Sequence, residues 1–429
     1  MMLQVARSVK VRSGVERDRA SELLLRYLKR TADKTDWPDR LPASVWDEMV
    51  RRGREYGVAP LLFHRLQALP STAPVPTAAM NALRGMYLES MITGMQLHRS
   101  LHDLLSMFRR NDVAIIVLKG AHLAQLVYKN VALRPMIDVD VLVRKADLPR
   151  VHEMLLASGY RVSGDQARFE KEHFHYVYSP PDGGIGVEIH WNIQPPAFSV
   201  DVDGLWKRAL PATIAGVAVL VLSPEDLLLH LCLHASSYHL YGWFGLRAIC
   251  DVSETICHYG DRIDWKVFRE RSRAWKAGNS TYLTLLLARK LLEAAMPDNV
   301  LKSLEPGDFD ARLIPWAENR IFAGADIRSD APSIISDGFG QLWASRRFSD
   351  RVFVLLKLCF PASSALRRKY DLPLGSWRVY LYYPLHVGDF ILRHGRTVWL
   401  MLRHDRETIQ WADREAGRVS LTKWLTPSL

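Results

Sequence analysis

The chain is poor in cysteine: Cys232, Cys250, Cys257 and Cys359 are the only four in 429 residues, each in an apolar setting. That usage excludes a disulfide-stapled secreted scaffold and fits a reducing compartment, with the thiols as small core residues. Long apolar runs are also missing. No uncharged stretch approaches the ~20 residues that cross a bilayer. The most membrane-like one, Val379 to Val387, is short and is soon followed by Asp389 and Arg393. Residues 1–30 are charged throughout and hold no apolar core of a secretory signal. A cytoplasmic protein without a transmembrane segment is expected. Neither Cys-x-x-Cys nor His-Glu-x-x-His spacing occurs. A zinc reading of His230, Cys232, His234, His239, Cys250, Cys257 and His258 therefore lacks a motif, although His230 and His234 share a helical face. The leucines around them read as core. No internal repeat is visible.

Acids are the scarcer charge. Lys and Arg number 57 against 46 Asp and Glu, a formal charge of +11. The imbalance is local, because residues 341–429 hold 15 basic against 7 acidic residues. With Trp377, Tyr380, Tyr382, Tyr383, Trp399, Trp411 and Trp424, this basic, aromatic-rich tail is suited to weak contact with RNA or an anionic membrane surface. Ordinary solubilising surface has the same composition.

At 48% hydrophobic content the chain can bury the cores of two or three domains. Residues 1–105 read as helical, led by Leu23, Leu24, Leu25 and Leu28. Met80, Leu83, Tyr87, Met91, Met95, Leu101, Leu104, Leu105 and Phe108 then recur near helical spacing. A loop at Pro70–Thr77 divides them. Residues 106–222 form a small mixed unit. Val113–Leu118 reads as a buried strand, ended by Lys119-Gly120, and a helix opens at Ala121. Next come a strand over 137–143 and a helix through Leu148, Val151, Met154 and Leu155 with Gly159 as its C-terminal glycine. Strands at Phe174–Tyr178 and Val187–Trp191 flank the turn Pro180–Gly184, and Val217–Leu222 adds another. Ser223-Pro224-Glu225-Asp226 then starts a helix, with Ser as N-cap, Pro at the first position and acids in the first turn. A helical domain over 223–324 closes the cleft, and a linker at Ala325–Gly340 precedes the tail. The class is α+β: a small mixed sheet flanked by N-terminal and C-terminal helical regions.

The densest chemical signal is Asp138-Val139-Asp140 inside the run from Ile137 to Val143. Side chains alternate along a strand, so both acids share one face while Ile137, Val139, Val141 and Val143 enter a core on the other. Two carboxylates so close call for a cation between them. About fifty residues on, Gly186-Val187-Glu188-Ile189-His190-Trp191 sets a third acid in an apolar strand. Three carboxylates on adjoining strands make a pocket for divalent metal. His190 shares the face of Glu188, whereas Trp191 faces the core. Gly120 lets backbone come close to phosphate, and the helix beginning beside it offers free N–H groups. Lys119 and Arg134 are placed to neutralise phosphate charge.

Leu118-Lys119-Gly120, then Arg134-Pro135-Met136-x-Asp138-x-Asp140, then Glu188-Ile189-His190-Trp191 resemble the marks of a family of uncharacterised bacterial nucleotidyltransferases in the DNA polymerase β-like superfamily. The resemblance spans roughly residues 60–320. It implies transfer of a nucleoside monophosphate from an NTP to an unidentified acceptor, small molecule or macromolecule, with release of pyrophosphate and dependence on Mg2+ (or Mn2+). It further implies that Asp138, Asp140 and Glu188 are the metal-holding catalytic acids, with Glu188 helping to deprotonate the acceptor. Lys119, Gly120 and Arg134 would bind the nucleotide, and His234, Arg247 and Asp251 would line the substrate pocket with His190. Arg247 and Asp251 also have i, i+4 spacing for a simple helix ion pair. One departure is Ala121, where the superfamily has Ser or Gly after the glycine, so one hydroxyl contact to phosphate is lost.

Three other readings compete. A metal-dependent glycosyltransferase also uses Asp-x-Asp, but needs a Rossmann-like sheet of roughly a hundred residues before it; this chain is helical there. A non-catalytic nucleotide-binding or scaffold protein would not need all three acids. A toxin-like enzyme that nucleotidylates tRNA is compatible with the basic tail and would show salt-sensitive RNA binding.

Overall fold

A computed structural model describes residues 19–30, 41–70, 73–163, 174–181, 185–195, 197–242, 244–322, 348–370, 377–403 and 405–427. The expected linker at 325–340 lies outside them. The chain divides into two compact units, residues 1–309 with 425–429, and residues 310–424.

The first unit is built on a seven-stranded mixed sheet with order β3-β4-β5-β2-β1-β7-β6, confirming the α+β class. Its strands are β1 Ile115–Val117, β2 Asp138–Val143, β3 Arg161–Ser163, β4 His175–Ser179, β5 Gly186–His190, β6 Leu210–Ile214 and β7 Val217–Val221. β2 runs parallel to β5 and antiparallel to β1, and β1 is parallel to β7. The central strands are Val- and Ile-rich because both sheet faces are covered, the setting that favours β-branched side chains.

One face carries Val139, Val141, Val143, Tyr176, Tyr178, Val187 and Ile189, packed in a single core. Two helices close it. Thr77–Arg110 contributes Leu101, Leu104, Leu105 and Phe108, and Leu148–Ala157 contributes Val151 and Leu155. Each fully buried side chain of this size adds ~1.5–3 kcal/mol relative to exposure. Helix ends follow the sequence signals. The Ser223 hydroxyl accepts from the Asp226 N–H at 3.3 Å, and Gly159, at φ +82°, follows the helix that ends at Ala157.

The structure departs from the expectations in several places, beginning with Cys257, which is exposed and not a core residue. Ile137 is not in the core: it precedes β2 and is 69% exposed. The reason is register, because β5 begins at Gly186, opposite Asp138, and offers Ile137 no partner. The helix after β1 starts earlier than expected, at Lys119 and not Ala121, with Leu118 as its N-cap, and widens into a π-helical turn over Leu123–Val127. Strands β3 and β6 were not expected. Both are sheet edges; β3 has three residues, and β6 contains Pro211, which an edge tolerates.

The second unit contains helices Leu313–Ile321, Phe348–Cys359, Ser363–Lys369 and Tyr382–Leu402. Phe353, Phe360, Trp377, Tyr380, Leu385 and Leu392 are exposed on it. Among the described residues no helix is long and apolar enough to cross a membrane.

Candidate active site

The site lies on the sheet face opposite the β2–β5–β4 core. In the parallel register Asp140 stands beside Glu188 and Leu142 beside His190; in the antiparallel one His175 stands beside His190 and Val177 beside Glu188. Because alternate residues share a face, Asp138, Asp140, Glu188, His190 and His175 converge.

Asp140 is the most buried of the acids, at 1% exposure. Lys119 Nζ lies 2.8 Å from its Oδ1, and His190 Nε2 lies 3.1 Å from the same oxygen. Burial alone would raise this carboxyl, but Lys119 and the hydrogen bond from His190 hold it well below the usual carboxylate range. Burial likewise opposes charge on Lys119, and Asp140, Glu188 and Asp138 together keep its pKa raised. His190 Nε2 also reaches Glu188 Oε2 at 3.2 Å. Its burial is outweighed by hydrogen bonds to both acids, so its pKa is raised as well.

Asp138 differs. No hydrogen bond or ion pair reaches its carboxylate among the described residues, and burial, then the charge of Asp140, push its pKa up to about 6. A half-buried carboxylate beside two others, with no cation of its own, is an incomplete charge arrangement. Donor chemistry of this kind, oxygen ligands from three acids, fits Mg2+ or Mn2+.

Gly120 sits in the first helical turn, and an added Cβ would lie 3.2 Å from Met136 Sδ and 3.5 Å from Arg134 Nη1. Its smallness therefore seats the Arg134–Met136 loop. Arg134 in turn reaches across 117 residues: its Nη2 donates to Asp251 Oδ2 at 3.0 Å and its Nε at 3.3 Å. Tyr128 donates to Asp251 Oδ1 at 2.9 Å. Arg247 does not pair with Asp251 as the i, i+4 spacing allows. Its Nη1 donates to the Pro135 carbonyl at 3.2 Å, and its guanidinium lies 4.1 Å from the centroid of the Phe244 ring. Burial, then the charge of Arg134, lower its pKa to about 10. Gly57, at φ +67°, makes room here, since a Cβ would stand 2.9 Å from Phe244.

The facing wall comes from helix Pro224–Leu233, which widens into a second π-helical turn over His234–Tyr238. Such π turns recur at functional sites. His234 lies 3.2 Å from His239, Nε2 to Nε2, and its ring stacks on Tyr238, which in turn meets Phe174 edge-on. Burial, then Lys119, hold His234 neutral. His230 is buried, and neither ring nitrogen has a hydrogen-bond partner among the described residues; burial, then Lys119, lower its pKa to about 3.

A profile of the family described as "Uncharacterised nucleotidyltransferase" matches residues 42–293, more than half of the chain. The chain belongs to this family. Among solved structures, a similar chain is an antigenic nucleotidyltransferase-like protein from Paracoccidioides brasiliensis, 16% identical, with a TM-score of 0.31 over 48% of this chain and 96% of that one. Among curated proteins nothing matches. For this member of the nucleotidyltransferase family, nucleotidyl transfer in general is the supported activity, and divalent metals are common in such enzymes.

Of the residues picked from sequence, the structure brings Lys119, Asp138, Asp140, Glu188 and His190 into one cluster. Arg134, Arg247 and Asp251 form a second network around the loop that leads into β2. His175 was not picked. Its signal was the pair of strands read over 174–178 and 187–191: paired antiparallel, they set His175 opposite His190.

Proposed function

We propose that the protein is a Mg2+- or Mn2+-dependent nucleotidyltransferase of the DNA polymerase β-like type, moving a nucleoside monophosphate from an NTP to an acceptor hydroxyl or phosphate and releasing pyrophosphate. One observation carries this reading: Asp140 and Glu188 are register partners on parallel strands, with Asp138 on the same face and, among the described residues, in no direct ion pair. Asp138, Asp140 and Glu188 would hold the metal, which when bound supplies charge neutralisation for the triphosphate and acidifies the attacking oxygen.

The remaining chemistry belongs to the chain. Lys119 is a buried cation already beside the acids, where a nucleotide's phosphates would compete with Asp140 for it. Arg134, engaged by Asp251, positions the loop that delivers Asp138. Glu188, with 22% of its side chain exposed beside His190, is the group that accepts the acceptor's proton, and His190 shares that charge through its 3.2 Å contact. Tyr238, 43% exposed next to Phe174 and His234, offers an aromatic face to the nucleobase or acceptor. In the tail, the excess of basic residues over 341–429 and the exposed Trp377 and Tyr380 favour contact of a polyanionic acceptor or surface with that segment.

The test is turnover. Purified protein with Mg2+ or Mn2+ and labelled NTPs, supplied with cell extract as the source of acceptor, should release pyrophosphate and place label in one class of product. Asp138→Asn should abolish both while its circular dichroism stays that of the parent. Equal label transfer by the variant would refute the assignment.

A further inference from the structure

Beside the acid trio lies a donor set of another kind. His175, Glu188 and His190 each offer one ligand atom, and these atoms all lie within 4.8 Å of one another. The arrangement follows from the sheet: Glu188 and His190 are alternate residues of β5, and His175 is the cross-strand partner of His190, with the two rings 4.8 Å apart. All three are held by strands, so the set is rigid. His175 and His190 are each 4% exposed.

His190 shows what the arrangement lacks. Its Nε2 is engaged by Asp140 at 3.1 Å and Glu188 at 3.2 Å, which fixes the ring. Its Nδ1 is buried and has no hydrogen-bond partner among the described residues. Asp140 and Glu188 both meet the ring at Nε2, so an ion held by His190 together with Glu188 would stand on that side of the ring, with Asp140 at its edge. The donors also discriminate between metals. Two imidazoles and one carboxylate suit Zn2+, Co2+ or Fe2+, whereas Mg2+ takes oxygen ligands and keeps its water.

We infer that His175, Glu188 and His190 form a binding site for a transition-metal ion of the zinc class, next to but chemically distinct from the Asp138–Asp140 position. Glu188 is common to both positions. The site does not depend on the nucleotidyl-transfer reading, since it follows from the donors alone.

Titration of chelator-stripped protein with Co2+, followed by the visible absorption of the bound ion, tests it, with Zn2+ then added as competitor. One equivalent of Co2+ should bind and be displaced by Zn2+ but not by millimolar Mg2+. His175→Ala should weaken Co2+ binding at least about tenfold, the lower end of losses seen even when only a ligand's support is removed. His190→Ala should do the same, and His175→Asn guards against a folding defect in either. Asp138→Asn should keep the Co2+ spectrum. Failure of the two readings is separable: a His175-dependent Co2+ spectrum in a protein that turns over no NTP leaves this site standing and removes nucleotidyl transfer. Turnover with Mg2+, combined with absent Co2+ absorption or equal uptake by the parent and His175→Ala, overturns this site alone.

Discussion

On β2 and β5 one face holds Val139, Val141, Val143, Val187 and Ile189, and the other holds Asp138, Asp140, Glu188 and His190. The same backbone register serves both. On the first face the side chains need only fit, and the helices Thr77–Arg110 and Leu148–Ala157 supply the matching surface. On the second each charge needs a counter-charge, and there the chain stops one short. Asp140 touches Lys119 and His190; Asp138 feels Lys119 and Arg134 only at a distance and, among the described residues, has no direct ion pair. An apolar face stabilises the fold by being complete, whereas the charged face is left incomplete by its own residues, which is what a site that gathers cations requires.

Substitutions on the two faces should therefore separate stability from turnover. The largest effect belongs to the charged face: Asp138→Asn or Asp140→Asn should lower pyrophosphate release by on the order of 10³-fold, the scale on which a preorganised charge-stabilising group acts. Asp138→Asn should leave the melting temperature unchanged or raised, because it removes a repelled carboxylate. A variant that lost fold and turnover together would erase the distinction between the faces. Next in size is the network behind the site. Asp251→Ala strands the buried Arg134, and breaking such a pair costs about 3–5 kcal/mol, measurable by urea denaturation. Turnover should fall too, as the loop carrying Asp138 loosens.

Leu104→Ala, on the apolar face, should cost about 2–5 kcal/mol of stability and leave the rate per folded molecule near that of the parent. The smallest effect is on pH dependence. His122 is buried, its Nε2 lies 3.0 Å from the Tyr259 hydroxyl, and burial, then His258, lower its pKa to about 4. Between that value and the unfolded value near 6.5 the unfolded chain binds the extra proton, so stability is present above pH 6.5 and falls as pH drops toward 4. The loss from this group is on the order of 3 kcal/mol. His122→Gln should flatten denaturation midpoints across that window, and an unchanged slope would assign the acid sensitivity elsewhere.

The charged face was largely legible from sequence because its information is local. Alternation along Asp138–Val143 and Gly186–His190 decides which residues share a face, and Ser223-Pro224 marks a helix start by its own chemistry. What was not legible depends on pairing between distant segments. Ile137 reads as one more alternating apolar residue, and only the start of β5 at Gly186 exposes it. Arg247 and Asp251 read as pocket residues or as a local i, i+4 ion pair, yet Asp251 answers Arg134 from 117 residues away. Gly120 reads as room for phosphate, and in the fold the atoms nearest its missing Cβ belong to Met136 and Arg134. His175 gains meaning only once the hairpin sets it against His190.

The claim beneath the functional reading is that Asp138, Asp140 and Glu188 together hold divalent ions. Crystals grown with Mn2+ and a non-hydrolysable NTP, read by anomalous scattering at a wavelength sensitive to manganese, address it directly. Anomalous density is expected in contact with carboxylate oxygens of Asp138 and Asp140, with Glu188 at its edge and the triphosphate against it. Manganese bound elsewhere, with Asp138 facing only water, would contradict it.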